Sequence, residues 1–384
     1  MHQRGHDVGL VVPRAGTGLT PCLPDGVELF HVPALRVKLV GQHIHLGFTT
    51  PRAMSGILRR FDPDIVHVQT PMAIGHAVAR ATQRHRTRLV VTNHSLPEIT
   101  LKNLGGRRGM PPSMHTAVLR STVSLDRRAD AVVVPSASAM QELYGTRPFR
   151  GKDLIAISNG VDTDFFSPAP AREGQPSHPD AAHEPTVLFV GRVDQDKDIG
   201  TLLRAISLIP REHGVHLRIV GDGKYMNEAR SLVARLGVSD RVVFTGWLDQ
   251  EDLLEEYRAA ATFCLPSIYE TQSIATLEAM AVGLPVVVSD GGAVKDLCAH
   301  GVNGYVCRGG DPQSFATELD TICSTPGMSD AMGGQSRTFA LTHSVAVPIE
   351  RHESLYRSLM RGEGARGPTV HCSSTAREVL GNVA

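Results

Sequence analysis

Two doubly wound α/β domains in tandem are predicted by three features of the sequence. Short β-branched runs alternate with helical stretches, and they do so twice. The runs are nearly continuous in apolar residues, the mark of parallel strands buried on both faces. Between the two sets lies "SPAPAREGQPSHPDAAHEP" (167–185), whose five prolines read as a linker. A chain of 384 residues is also long for a single core.

The first set of strands is "VGLVVP" (8–13), "DIVHVQT" (64–70), "RLVVTNH" (88–94), "AVVVPS" (131–136) and "LIAISNG" (154–160). The second is "TVLFVGR" (186–192), "HLRIVGDG" (216–223), "RVVFTGW" (241–247), "TFCLPS" (262–267) and "PVVVSD" (285–290). These place an N-terminal domain at 1–165, a Pro-rich linker at 166–185 and a C-terminal domain at 186–343. "SVAVPIERHESLYRSLMR" (344–361) is expected to form a helix crossing back to the first domain. Residues 362–384 lack sustained periodicity and read as a disordered tail. Ligands of such sheets gather beyond the carboxyl ends of the strands, so the cleft between the domains is the expected site.

Composition and charge narrow the function classes. No apolar run approaches the ~18 residues that a membrane span requires, and no secretory h-region follows Met1. The six cysteines form no CxxC pair and no cluster with His at metal spacing, which reads as free thiols in a reducing compartment. A cytoplasmic protein is expected. Residues 1–165 hold 20 Lys and Arg against 12 Asp and Glu, whereas the remainder holds 19 against 27. Between Arg80 and Arg120 only Glu98 opposes eight basic residues, among them Arg84, Arg86, Arg88, Lys102, Arg107 and Arg108. The plain interpretation is a solvated face; the sharper one is an anionic partner. Aromatic residues are not interleaved with the basic stretch, so no nucleic acid is expected. An anionic membrane surface suits it better, with peripheral association on the inner face of the membrane.

One device recurs at the strand ends of the second domain. "VLFVGRVDQDKDIG" carries Gly191 and Arg192 at the end of a strand, with Lys197 five residues on. "RIVGDGK" supplies Gly221 and Gly223 in the next strand-to-helix turn. Exposed backbone N–H groups, a helix dipole and two cations converging on one point make an anion site, most naturally for a diphosphate.

"YETQSIATLEAMAVGLPVVVSD" (269–290) adds two carboxylates to that row. The pattern is helical from Ser273 to Val282, and Gly283 and Pro285 end it. At 100° per residue Ile274, Leu277, Ala281 and Val282 share one apolar side, with Glu278 among them. Glu270 lies just outside the helix start. A carboxylate buried without partners costs on the order of 2–5 kcal/mol, so Glu278 needs either an Arg partner or a ligand.

Glu270, seven residues, then Glu278 resembles the E-x7-E signature of retaining glycosyltransferases with the two-domain GT-B fold (glycosyl transferases group 1, family 4). "GRVDQDKDIGTLLRA" is similar to that family's donor-phosphate segment, and "VVVSDGGAVKDLCAHGVNGYVCRGGDP" to the stretch that closes the sugar pocket. The similarity runs over roughly residues 1–360. It implies two Rossmann-like domains facing across a cleft, with a nucleoside-diphosphate sugar (UDP or GDP) in the second and the acceptor in the first. By position, Glu270 would accept hydrogen bonds from hydroxyls of the transferred hexose, and Glu278 from the nucleotide ribose. Arg192 and Lys197 would neutralise the leaving diphosphate, assisted by the backbone at Gly191, Gly223, Ser273 and Ile274. His94, at the end of "RLVVTNH", matches a histidine that the family sets near the donor, a positioning hydrogen-bond donor and not a nucleophile.

The resemblance implies transfer with retention, no cofactor, and no metal, since Arg and Lys stand where a cation would. "HVQTPMAIGHAVARATQRHRTRLVVTNHSLPEITLKN" is similar to members that glycosylate diacylglycerol or phosphatidyl lipids, so a membrane lipid acceptor is the leading expectation. Small polar and polysaccharide acceptors share the same core and stay open. The family's first strand and Gly-rich turn have no counterpart before "RGHDVGLVVP". A catalytically impaired, nucleotide-sugar-binding remnant is therefore a further reading. A sugar-nucleotide epimerase ranks lower, because epimerases lack the E-x7-E arrangement.

Overall fold

The computed structural model describes residues 1–14, 23, 25–39, 42–69, 73–94, 120–121, 123–145, 154–170, 184–363 and 375–380. Most of the Pro-rich stretch and of the C-terminal tail lies outside them, as do Glu98, Lys102, Arg107 and Arg108. The chain forms two compact units. Unit 1 comprises Met1–Pro135, Met140–Ile157 and Ile349–Cys372; unit 2 comprises Ser136–Ala139, Ser158–Pro348 and Ser373–Ala384.

Unit 1 begins with β1 (Gly9–Pro13) and β2 (Glu28–Val32), which pair in parallel, then β3 (Ala34–Leu39) and β4 (Gln42–Gly47), an antiparallel hairpin. Helix α1 (Pro51–Phe61) starts on a Thr50 cap whose Oγ1 accepts from Ala53 N at 3.1 Å. Then come β5 (Ile65–Val68), α2 (Ala73–His85), β6 (Arg88–Thr92), β7 (Ala131–Val134), α3 (Ala137–Gly145) and β8 (Leu154–Ala156). Strands β5 to β8 form one parallel sheet in chain order. Its residues alternate between two cores, as a period of two demands. Leu89, Val91 and Val132 meet Met54 and Leu58 of α1 and Val78 of α2. Val90, Val133 and Ile155 face Leu355 and Leu359 of a late helix, described below, that spans Ala346–Met360. The buried Glu353 carboxylate of that helix accepts from Arg4 at 2.7 Å, His6 at 2.9 Å and Arg357 at 2.6 Å.

Unit 2 is a six-stranded parallel sheet: β9 (Thr186–Val190), β10 (His216–Val220), β11 (Val242–Gly246), β12 (Thr262–Leu265), β13 (Val286–Ser289) and β14 (Gly304–Cys307). Its order is β11-β10-β9-β12-β13-β14. The helices are α4 (Ile199–Leu208), α5 (Met226–Leu236), α6 (Gln250–Ala259), α7 (Ile274–Val282), α8 (Pro312–Ser324) and α9 (Met328–Leu341). The helix spanning Ala346–Met360 is α10, and α11 is Ala376–Leu380. This part of the tail, expected to be disordered, is instead helical, tied down by Ala376 in the unit 2 core. Strands β12 and β13 are buried along their whole length, which is why they read as unbroken apolar runs.

Four strands carry no clear signal in the sequence: β2, β3, β4 and β14. "ALRVKL" and "QHIHLG" interleave charged and His residues with apolar ones, and "GYVC" is four residues long at a sheet edge. None presents the continuous apolar run that marks the interior strands.

Candidate active site

The strand order of unit 2 reverses between β9 and β12, the point where ligands of an open α/β sheet find a crevice. The loops that leave these two strands carry Gly191, Arg192, Lys197 and Glu270 of the sequence-predicted residues and lead into α7 at Ser273 and Ile274. After β9, the half-buried Arg192 donates to Asp194 and, at 3.3 Å, to Asp196. Asp194 is buried and also accepts from the backbone N–H of Lys224 at 3.0 Å, so it ties the turn after β9 to the turn after β10. Gly221 makes that approach possible: at φ 123° an added Cβ would lie 2.0 Å from the Gly191 carbonyl oxygen. The amide of Gly191 donates to Val220 O at 3.0 Å, and that of Gly223 to the Asp222 carboxylate at 2.7 Å.

Lys197, from the β9 loop, donates through Nζ to the Glu270 carboxylate in the loop after β12. Glu270 is held from a third side. Its carbonyl accepts from Ala293 N at 2.8 Å, and Gly292, at φ 62°, lets the loop after β13 press against its backbone. The structure thus brings Arg192, Lys197 and Glu270 to one end of one sheet. Each cation already has a carboxylate partner there.

Ser273 caps α7: its Oγ accepts from Thr276 N at 3.1 Å. Ile274 departs from the sequence expectation. It does not share the buried side of the helix but is 48% exposed at the first helical position. The helix is not amphipathic, since every residue from Thr276 to Val282 is buried except Glu278, which is half-buried. Glu278 has no Arg partner among the described residues. Its Oε2 accepts from Tyr257 Oη at 2.9 Å, and Tyr257 reaches the Ala275 carbonyl at 3.1 Å. Burial raises the Glu278 pKa, and the Tyr257 hydrogen bond pulls it back down.

His94 lies in unit 1 beyond β6, exposed, with Nε2 2.7 Å from Gln69 Oε1. Both residues sit at carboxyl ends of neighbouring strands, β5 and β6. Nearby on β5, His67 bonds Tyr356 at 2.5 Å and Thr92 at 2.6 Å. No group of metal-ligating side chains is found among the described residues.

Two family models match the chain: "Glycosyltransferase Family 4" over residues 1–165 and "Glycosyl transferases group 1" over residues 172–339. A GDP-mannose-dependent alpha-mannosyltransferase of Mycolicibacterium smegmatis is 30% identical over 316 residues, covering 80% of this chain and 79% of the relative. The chain belongs to the group 1, family 4 glycosyltransferases. A D-inositol 3-phosphate glycosyltransferase of Nocardiopsis dassonvillei is 28% identical over 379 residues, covering 93% of this glycosyltransferase and 86% of the relative. Among solved structures, a sucrose-phosphate synthase of Thermosynechococcus elongatus superposes with a TM-score of 0.78 at 21% identity, over 94% of this chain and 91% of that one. The fold is GT-B.

Three residues of the site carry no sequence signal of their own. Tyr257 reads as a core position of an acidic, amphipathic helix, Asp194 as a turn carboxylate in water, and Gly292 as one of a loop pair. Only the tertiary contacts separate them from those ordinary roles.

Proposed function

We propose that this glycosyltransferase moves a hexose from a nucleoside-diphosphate sugar, UDP- or GDP-linked, to an acceptor with retention of configuration and without a divalent metal. The observation that carries the reading is the meeting of Lys197, Arg192 and Glu270 at the switch point of the unit 2 sheet. When the donor binds, its diphosphate competes with Asp194, Asp196 and Glu270 for the two cations. Glu270 is then released to accept hydrogen bonds from the hexose. Glu278 takes the ribose, and the first turn of α7, at Ser273 and Ile274, faces the phosphates with its positive dipole end. As the bond from the anomeric carbon to the phosphate oxygen lengthens, Arg192 and Lys197 stabilise the charge that develops. The acceptor oxygen bonds the same face, and its proton passes to the departing phosphate. His94 serves as a positioning donor for the transferred sugar.

The acceptor reading leans to a membrane lipid. Unit 1 carries exposed arginines on α1 and α2 and in the turn beyond, including Arg52, Arg59, Arg80, Arg84 and Arg86. Docking through these arginines would be electrostatic and peripheral; no helix of the described residues is long and apolar enough to cross a membrane. A small polar acceptor is the second reading, favoured by the similarity to a D-inositol 3-phosphate glycosyltransferase over 93% of this chain.

The test is incubation with a panel of UDP- and GDP-sugars, with and without phosphatidyl lipid, reading nucleoside-diphosphate release in EDTA. Release that depends on one donor and on lipid is expected. Release only after magnesium or manganese is added would overturn the metal-free phosphate site, and lipid independence would favour the second acceptor.

A further inference from the structure

The phenol of Tyr257 is fully buried on α6, yet it is not spent on the core alone. Its ring packs edge-on to Phe166 at 5.9 Å and beside Phe263 at 6.2 Å. Its hydroxyl points the other way, to Glu278 Oε2 at 2.9 Å and to the Ala275 carbonyl at 3.1 Å. Both neighbours are acceptors, so the proton on Oη must be donated toward them. Glu278 Oε1 has no protein partner among the described residues.

We propose that Tyr257 is a positioning residue for nucleotide binding: it engages one Glu278 oxygen and leaves the other aimed at the ribose hydroxyls of the donor. The inference rests on the assignment of Glu278 to the ribose. It adds a group that never touches the ligand but sets the direction and ionisation of one that does.

The ionisation follows from the surroundings. From α6, only Tyr257 bonds the Glu278 carboxylate. From α9, Arg337 is directed elsewhere, to the carbonyls of Ala281 at 2.6 Å, Phe166 and Thr163 at 3.0 Å. From the turn at 294–297, Asp296 is engaged by Ser138 at 2.6 Å, and Lys295 makes no described bond to Glu278. Burial raises the Glu278 pKa and the Tyr257 donor opposes it. Without that donor the carboxylate protonates at a higher pH. A protonated Glu278 keeps one acceptor oxygen fewer for the ribose.

The experiment is calorimetric titration of the full chain with GDP and UDP, and with their 2′,3′-dideoxy counterparts, across about pH 5–8. The wild type should prefer the ribose forms, with affinity falling on the acid side as Glu278 protonates. Tyr257→Phe should weaken binding of the preferred ribose nucleotide roughly tenfold, leave its dideoxy counterpart within about twofold, and move the acid limb upward. Site-specific 3-fluorotyrosine at 257, a stronger donor of nearly the same shape, should move the limb downward. It also stands in if Tyr257→Phe fails to fold. If the wild type does not distinguish ribose from dideoxyribose, the Glu278 assignment itself is wrong. If the wild type distinguishes them but Tyr257→Phe keeps both the preference and the acid limb, the Tyr257 proposal alone is overturned. An unmoved limb with 3-fluorotyrosine overturns it too.

Discussion

Lys197 and Glu270, 73 positions apart, form an ion pair at the point where the strand order of the unit 2 sheet reverses. Their side chains are 14% and 13% exposed, so each charge depends on the other for much of its solvation. In the proposed cycle the pair keeps both groups in place until a diphosphate draws Lys197 away and a hexose takes over Glu270. Removing one member of a desolvated pair costs more than the pair contributes, because the survivor stays behind uncompensated.

Lys197→Ala is accordingly expected to lose about 1–3 kcal/mol of stability. The urea midpoint should fall while the slope of the transition stays constant. Lys197→Met combined with Glu270→Gln should regain most of that loss, since no charge is stranded. A midpoint for Lys197→Ala equal to the wild type would mean that water already screens Glu270.

Glu270→Gln separates the sugar from the nucleotide. The amide keeps size and one acceptor but loses the charge that strengthens bonds to hexose hydroxyls. Turnover should drop at least tenfold, about 1.4 kcal/mol of transition-state stabilisation, with nucleoside-diphosphate affinity nearly intact. Equal losses in affinity and turnover would make Glu270 a structural residue.

These residues also show how far the sequence reaches. Interior strands such as β12 and β13 are legible because both faces are covered and every side chain must be apolar. The β3–β4 hairpin and edge strand β14 are not, because polar side chains break the run. Glu270 and Glu278 stand out as candidates by their spacing, and Arg192 and Lys197 by their places at a strand end. Pairing is a tertiary fact. That Lys197 meets Glu270 and Tyr257 meets Glu278 depends on strands β9 and β12 lying side by side and on α6 packing against α7. The expectation for Ile274 failed for a related reason. A helical period assigns a side chain to a face, but Ile274, the first residue of α7, lies beyond the core that covers the helix from Thr276 onward.

Gly292→Ala tests whether the loop after β13 sets the Glu270 backbone. Gly292 sits at φ 62°, and a Cβ there would lie 2.5 Å from Glu270 N. Backbone must move, since no flexible side chain can yield. A stability loss of about 1–3 kcal/mol is expected. Turnover should fall more than nucleoside-diphosphate affinity does. Unchanged turnover would show that Glu270 finds its place without this contact.

His67 predicts a pH dependence of folding for unit 1. Burial, reinforced by His352 and His94 as like charges, lowers its pKa from 6.5 to about 3. Its ring nitrogens face the hydroxyls of Tyr356 and Thr92, which carry no negative charge to offset a proton on the ring. Below pH 6.5 the unfolded chain takes up a proton that the folded chain refuses until about pH 3. The contribution is therefore fully present above pH 6.5 and is lost progressively as pH falls through that window. Urea midpoints at about pH 7.5 and 5.5 should differ less for His67→Asn than for the wild type. Equal differences would show that His67 titrates normally.

The basic surface of unit 1 gives the last test. Arg59, Arg80, Arg84 and Arg86 are exposed, and no carboxylate pairs with them among the described residues, whereas Arg60 is paired with Glu28 and Arg88 with Asp130. Each arginine near an anionic bilayer contributes ~1 kcal/mol, within a screening length of about 10 Å at 0.1 M salt. The protein should co-sediment with phosphatidylglycerol-rich vesicles at low salt and detach as ionic strength rises. Arg59→Glu with Arg84→Glu should abolish the association. Arg235→Glu, an exposed position on α5 of unit 2, should leave it intact. Equal binding to neutral and anionic vesicles would replace electrostatic docking with apolar insertion. Absence of binding to either would move the acceptor from a membrane lipid to a soluble molecule, because an enzyme that never meets the bilayer surface has no route to a lipid headgroup embedded in it.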